Sequence, residues 1–215
     1  MLNRALSENG KIGNNWIKHI LRDHYEDTFL EGPFFNPSAP DFLTICMHQS
    51  PAGFTWGNTA SSCIIELPNS NCSIPIMWWA PCVPCCSLYI PVFVHSLGLP
   101  KAMEEAGTYG KNMCAPSDVN AEDAYKDGSL WWEMRSLLDL VNGDENGGKY
   151  KVRHTVVRAV FDDLEQKWGE EANEIIRKLD PNSAETARIL YSFTEKCVGE
   201  TTAAIKKLKN FISSI

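Results

Sequence analysis

The sequence predicts an α+β fold, in which a sheet formed by the first half of the chain precedes a helical second half. Apolar runs rich in β-branched and aromatic residues, bounded by Pro, Asn and Gly, occur between residues 41 and 94 and are typical of strands. From residue 127 onward, apolar residues recur at steps of three and four, which is the period of amphipathic helices. We therefore expect a sheet-containing region over residues 1–115 and a helical region over residues 116–215.

The first predicted element is a helix over residues 14–27, because apolar residues from Trp16 to Leu21 recur at helical spacing. Arg22 and Glu26 lie four residues apart in this segment, which favours an ion pair on the helix surface. The alternative is that Arg22 reaches into a substrate pocket.

Strands are expected next in four apolar runs, at residues 41–48, 60–67, 75–80 and 87–94. A turn at residues 68–71 is expected to join the second run to the third. Because successive positions in these runs are apolar, we expect the sheet to be covered on both faces.

Three helices are predicted in the second half, over residues 127–142, 150–179 and 183–213. In the middle one the apolar stripe is expected to include Val152, Val160 and Trp168. The last two helices are separated by a short break, so they are expected to form an antiparallel hairpin.

Charge and composition exclude several classes of protein. The net charge is −7 and the basic residues are dispersed, which argues against a nucleic-acid or anionic-membrane partner. The apolar run at residues 74–94 contains four prolines, so a membrane-spanning helix is not expected there. The first fifteen residues contain no apolar signal-peptide core, and we expect a cytoplasmic protein.

Eight cysteines occur in the chain, and Cys82 and Cys85 have the Cys-x-x-Cys spacing of zinc and redox sites. A zinc site of four cysteines would need a second such pair, which the sequence lacks. We therefore expect Cys82, Cys85 and Cys86 to be reduced, metal-free and buried against the strand that carries Trp78 and Trp79. Zinc or a disulfide is the alternative, and no cofactor is expected.

The sequence holds no complete set of catalytic residues. The Gly-x-Ser-x-Gly motif of serine hydrolases is missing. Cys46 and His48 would share one face of a strand, but side chains two residues apart diverge, so a hydrolase based on Cys46 is only an alternative. His19 and His24 are five residues apart, which does not suit a metal site on one helix face.

Four ordered motifs, "ILRDHYEDT", "GNTASSCIIELP", "IMWWAPCVPCCSLYIPVF" and "SLWWEMRSLLDLV", resemble the C-terminal half of the secernin and acid-dipeptidase family of cysteine peptidases. The resemblance covers roughly residues 14–165. It implies an N-terminal-nucleophile hydrolase with an αββα sandwich, here followed by the long helical hairpin. It also implies a nucleophilic Cys whose own α-amine is the general base, and short peptides or amides as substrates.

The chain departs from this pattern at the nucleophile, because no Cys precedes Cys46. We therefore expect the C-terminal portion of a dipeptidase-like hydrolase, with no catalytic residue of its own and inactive alone. The alternative is a non-catalytic secernin-like binding or scaffold module.

Candidate substrate-binding residues are Arg22, His48, Asn58 and Thr59, although a structural turn role is favoured for the last two. The expected partner is a short peptide, once the chain is joined to its N-terminal half. Exposed strand edges predict self-association, unless helices within residues 127–213 cover the sheet.

Overall fold

The computed structural model describes residues 13–35, 38, 43–49, 57–67, 74–104, 128–143 and 147–215. This part of the chain has an α+β fold, as predicted, with a small antiparallel sheet and several helices. The elements in chain order are α1 (Asn14–Leu21), β1 (Ser61–Glu66), β2 (Ile76–Pro81), a 3₁₀ turn (Pro84–Cys86), β3 (Ile90–Phe93), α2 (Lys101–Glu104), α3 (Leu130–Asn142), α4 (Tyr150–Lys178) and α5 (Ala184–Ile212).

The sheet has the order β1-β2-β3, with both pairs antiparallel, and confirms three of the predicted strands. β2 and β3 are largely buried, as expected for a covered sheet. In β1, however, Ile64 is buried whereas Ile65 is 58% exposed, so the expectation that every strand is covered on both faces was wrong. The turn predicted at residues 68–71 lies outside the described residues.

The strand predicted over residues 41–48 does not form in its described part, residues 43–48. This segment instead makes isolated hydrogen bonds to two separate parts of the chain. The Cys46 amide donates to the Asp23 carbonyl at 3.1 Å, and the Thr59 amide donates to the Met47 carbonyl at 2.9 Å. The segment is therefore held between the end of α1 and the start of β1 without joining a sheet.

Helix α1 ends at Leu21, six residues before the predicted end. The amides of Arg22 and Asp23 bond three residues back, which tightens the last turn. Tyr25 and Asp27 then have φ values of 60° and 62°, which a continuing helix cannot accommodate. The predicted surface pair between Arg22 and Glu26 is accordingly not formed.

The long helices α4 and α5 form the antiparallel hairpin expected from the sequence. Two cross-helix ion pairs fix their relative register: Lys167 with Glu200 at 2.9 Å, and Lys196 with Glu171 at 2.6 Å. From the first pair to the second, the residue number rises from 167 to 171 on α4 and falls from 200 to 196 on α5, as antiparallel packing requires.

The buried face of α4 agrees with the predicted stripe at Trp168 but differs from it at Val152 and Val160. Val157, Phe161 and Trp168 are fully buried, whereas Val152 is 63% exposed and Val160 is 37% exposed. A series at a strict four-residue step advances about 400° per step, so it drifts about 40° around a helix of 3.6 residues per turn. The predicted stripe therefore begins outside the core at Val152 and lies within it by Trp168.

Two valine substitutions on α4 test this corrected face. Val157→Ala is expected to lower the free energy of unfolding by about 1.5–3 kcal/mol, because it removes two methyl groups of a fully buried side chain and leaves a cavity. The matched control Val152→Ala should change it by less than about 0.5 kcal/mol. Urea denaturation of both variants gives the comparison, and equal losses would contradict the assignment of the faces.

Helices cover one side of the sheet. The Thr194 hydroxyl of α5 donates to the Pro91 carbonyl of β3 at 2.9 Å, and Phe193 packs on Phe93. The Trp131 indole of α3 donates to the Ala60 carbonyl at 2.8 Å. Helices within residues 127–213 thus cover this side of the sheet, which is one of the two outcomes expected from the sequence. The other, self-association, remains a prediction. Among the described helices, none combines the length and apolarity needed to cross a membrane.

Candidate functional site

Two cysteines and two histidines from distant parts of the sequence meet in the interior. We call His24, Cys46, His48 and Cys85 the Cys/His cluster; one ring nitrogen of each histidine and both sulfur atoms all lie within 4.8 Å of one another. No member is more than 4% exposed. Burying polar and ionisable side chains costs free energy, so a group of them buried together is a candidate functional site.

Three irregular segments bring the cluster together. His24 follows the turn that ends α1, and the next segment places Cys46 and His48 beside it. The Met47 amide of that segment donates to the Thr59 hydroxyl at 3.0 Å, and the neighbouring Gln49 amide donates to the Asn58 carboxamide at 2.9 Å. These bonds hold the backbone on both sides of His48.

The third segment is the 3₁₀ turn between β2 and β3, which carries Cys85. Its entry has a left-handed backbone at Cys82, with φ 59°, which redirects the chain as it leaves β2. Two guanidinium groups then fix the turn: Arg22 Nε donates to the Pro84 carbonyl at 2.9 Å, and Arg158 donates to the Ser87 carbonyl at 2.5 Å. The turn that carries the Cys85 thiol is thus held by Arg22, which follows α1, and by Arg158 of α4.

Close polar contacts surround the Cys85 sulfur. His48 Nε2 lies 3.1 Å from it, and the Tyr150 hydroxyl lies 3.5 Å from both the sulfur and that nitrogen. The Cys86 sulfur is 3.6 Å away. His154 stacks on Tyr150, with ring centroids 5.3 Å apart.

Charge in the cluster concentrates on Cys85. Burial raises the pKa of this thiol, but hydrogen bonds from Cys46 and Cys86 and the nearby His48 outweigh burial and hold the pKa well below its usual value. Burial, with the negative charge of Cys85, raises the pKa of Cys46 well above its usual value. The site therefore favours a thiolate at Cys85 and a neutral thiol at Cys46.

A cavity of about 960 Å³ lies against the cluster, bounded by α1, the sheet and α4. His24 and Cys85 line its wall, so two of the four cluster residues lie at its boundary. The remaining lining is mostly polar and carries both signs of charge: Lys18, Arg22 and Arg158 on one hand, and Glu26, Glu66, Asp162, Glu165 and Glu170 on the other.

Glu165 is the buried carboxylate that organises these cations. It pairs with Lys18 at 3.3 Å and with Arg22, and it accepts the Tyr89 amide at 2.8 Å. Arg158 lies 3.9 Å away. Burial lowers the pKa of Lys18 even though Glu165 opposes that shift, so the ammonium depends on this carboxylate.

The predicted substrate-binding residues lie in three different places. Arg22 lines the cavity, and its contacts with Pro84 and Glu165 also make it a structural clamp. His48 lies in the Cys/His cluster and is not among the residues that line the cavity. Asn58 and Thr59 bond the backbone beside His48, which is the turn role favoured for them.

Sequence reasoning did not identify the cluster as a unit. It required a second Cys-x-x-Cys pair, whereas Cys46 and His48 form a Cys-x-His pair that can complement Cys85. It also placed His24 on a helix, where only His19 was considered as its partner. The predicted burial of Cys82, Cys85 and Cys86 is confirmed, although Cys85 and Cys86 lie on a 3₁₀ turn.

Comparisons with known proteins leave the site to be interpreted from its own residues. No family model, no curated protein and no solved structure matches the chain.

Proposed function

We propose that this chain is part of a cysteine-type hydrolase that cleaves short peptides or related amide bonds. In this proposal the chain supplies the wall of the substrate cavity, and a Cys on another segment supplies the nucleophile and, through its α-amine, the base. The four sequence motifs that resemble the secernin and acid-dipeptidase family support it. The sheet β1-β2-β3 would then be one part of an αββα sandwich that the other segment completes.

The polar cavity is the observation that carries the proposal. Its volume of about 960 Å³ falls within the range of about 300–1,000 Å³ common for small-molecule sites. A free dipeptide carries a carboxylate at one end and an ammonium at the other. The wall offers Arg22 and Arg158 to the first, and Glu26 and Glu170 to the second.

The thiols of the Cys/His cluster are not the nucleophile in this proposal. Cys85 is 1% exposed and Cys46 is fully buried, so a peptide carbonyl cannot approach either sulfur in this arrangement. A low thiol pKa alone does not make a cysteine reactive towards substrate, because the sulfur must also be accessible.

Filling the cavity gives the sharpest test. Gly169 lines it on α4, and a Cβ at this position would meet no atom within 4 Å. Gly169→Phe should therefore place a ring in the cavity and weaken dipeptide binding by at least about tenfold, which corresponds to about 1.4 kcal/mol. Gly199 is an equally open helical glycine outside the cavity, so Gly199→Phe is the matched control.

Calorimetric titration with a panel of dipeptides measures this binding, and hydrolysis is assayed on the same samples. We expect wild type and Gly199→Phe to bind, Gly169→Phe to bind poorly, and turnover to require a joined segment that begins with Cys. Equal binding by all three proteins would contradict the cavity as the substrate site. Turnover by this chain alone that Cys46→Ala or Cys85→Ala abolishes would contradict the assigned nucleophile.

A further inference from the structure

We propose that the Cys/His cluster is a closed zinc site, in which His24, Cys46, His48 and Cys85 bind one Zn²⁺. The site would be separate from the chemistry of the proposed hydrolase and would stabilise the loops beside its cavity. It replaces the expectation, drawn from the sequence, that Cys85 is a metal-free core thiol.

The number and type of ligands fit zinc. Two thiolates and two imidazoles form the Cys₂His₂ set found in many structural zinc sites, and two thiolates balance the charge of the ion. Soft sulfur with imidazole nitrogen selects Zn²⁺ over hard cations such as Mg²⁺ and Ca²⁺, which prefer oxygen. All four residues are buried, and structural zinc sites are likewise closed to solvent.

The distances need only a small contraction. Bond lengths of about 2.0–2.3 Å place the ligand atoms of a tetrahedral zinc site about 3.3–3.8 Å apart. His48 Nε2 and Cys85 Sγ are already 3.1 Å apart, and every pair in the cluster lies within 4.8 Å. The widest separation that this limit allows exceeds the range for a zinc site by about 1.0 Å.

The histidine nitrogens provide a second, independent observation. His24 Nδ1 contacts the Glu26 carboxylate at 3.2 Å, while its Nε2 is buried and has no hydrogen-bond partner within the described part of the chain. A carboxylate on one nitrogen and a metal on the other is the usual arrangement of a metal-binding histidine. Without a ligand, a buried nitrogen of this kind is costly.

A second group of possible ligands shares Cys85 but is less complete. Cys85, Cys86 and His154 also lie within 4.8 Å of one another, yet they offer three ligands where a closed zinc site needs four. His154 is only partly buried, and its ring stacks on Tyr150. We therefore assign the metal to the four-residue cluster, and this choice is itself testable.

The position of the cluster indicates what the metal would do. Its ligands come from three irregular segments that are far apart in sequence. The backbone bond from Cys46 to Asp23 joins the first two, and the bond from the Arg22 side chain to Pro84 joins the first to the third. One ion would cross-link these segments, and the free energy of metal binding would then contribute to folding. The wall of the adjacent cavity would become ordered as a consequence.

Titration of the full chain with Co²⁺ under reducing conditions tests the site. Tetrahedral Co²⁺ with two thiolates gives strong visible bands and a thiolate-to-metal charge-transfer band. We expect one equivalent to bind and Zn²⁺ to displace it. Cys46→Ser and His24→Gln should lose at least about tenfold in affinity, whereas the control Cys197→Ser should bind as wild type, because Cys197 is equally buried but lies on α5.

Several results would overturn the proposal. Absence of the tetrahedral spectrum in wild type at excess Co²⁺ would do so without any variant, so a folding failure of a variant does not leave the question open. Loss of binding in His154→Gln, with retention in His24→Gln, would transfer the site to the three-residue group and contradict the assignment. Dipeptide binding is measured separately, so failure of the hydrolase proposal would leave these outcomes unchanged.

Discussion

Replacing Glu165 with Ala is expected to lower the free energy of unfolding by about 3–5 kcal/mol, which is the usual cost of removing one partner from a buried ion pair. The carboxylate is 6% exposed and contacts Lys18 and Arg22, both of which are also largely buried. Its loss would leave these cations in the protein interior without their main counter-charge. The Tyr89 amide would lose its acceptor as well.

Two further variants separate charge from packing at this position. Glu165→Gln keeps the size of the side chain and an acceptor for Tyr89, so its loss should be smaller than that of Glu165→Ala. Glu174→Gln, an exposed member of an ion pair on the same helix, should change stability by less than about 0.5 kcal/mol. Chemical denaturation at neutral pH gives all three values, and a Glu165→Ala loss as small as that of Glu174→Gln would contradict the role of this carboxylate.

Trp168→Ala is expected to cost a similar amount, about 3–5 kcal/mol, because a large side chain with no exposed surface would leave a cavity between α4 and α5. Its indole nitrogen also donates to Glu200 at 2.7 Å, so the hairpin would lose a cross-helix hydrogen bond. Trp168→Phe keeps most of the apolar surface and should fall between wild type and Trp168→Ala. The control is Phe211→Ala on α5, since Phe211 is 52% exposed and should cost about 0.5 kcal/mol or less.

Thermal unfolding followed by circular dichroism ranks these proteins. The expected order of melting temperature is wild type and Phe211→Ala highest, then Trp168→Phe, then Trp168→Ala. If Phe211→Ala were as unstable as Trp168→Ala, the burial assigned to the hairpin would be incorrect.

The elements with strong local signals were predictable. β1 to β3 contain β-branched and aromatic residues, and α5 carries apolar residues at helical spacing over many turns, so tertiary contacts reinforce local preference. The segment at residues 43–48 has similar local composition but does not pair into a sheet. Strand formation depends on a neighbouring edge, which periodicity cannot reveal.

The early end of α1 could not be read from local sequence either. Arg22 contacts Glu165, which follows it by 143 residues, and this distant partner replaces the helical pair expected with Glu26. The left-handed residues Tyr25 and Asp27 follow, and His24 between the helix and this turn is buried. A left-handed backbone is uncommon for a tyrosine, so local sequence does not predict this turn, and contacts in the folded protein must stabilise it.

The Cys/His cluster shows the same limit in the candidate site. Each residue alone could be an ordinary buried side chain. The possible metal site exists because three segments meet in the fold, and the spacing of residues in the sequence does not predict that meeting. Cys46 and Cys85 are 39 positions apart, and β1 and β2 lie between them. A search for Cys-x-His pairs beside Cys-x-x-Cys pairs would have raised the hypothesis, but the fold was needed to bring His24 into it.

X-ray absorption at the zinc edge of the zinc-loaded protein tests most directly whether these segments build one metal centre. The predicted spectrum contains two sulfur neighbours at about 2.3 Å and two nitrogen neighbours at about 2.0 Å. A spectrum with only nitrogen and oxygen neighbours, or a protein that retains no zinc after dialysis, would contradict the account.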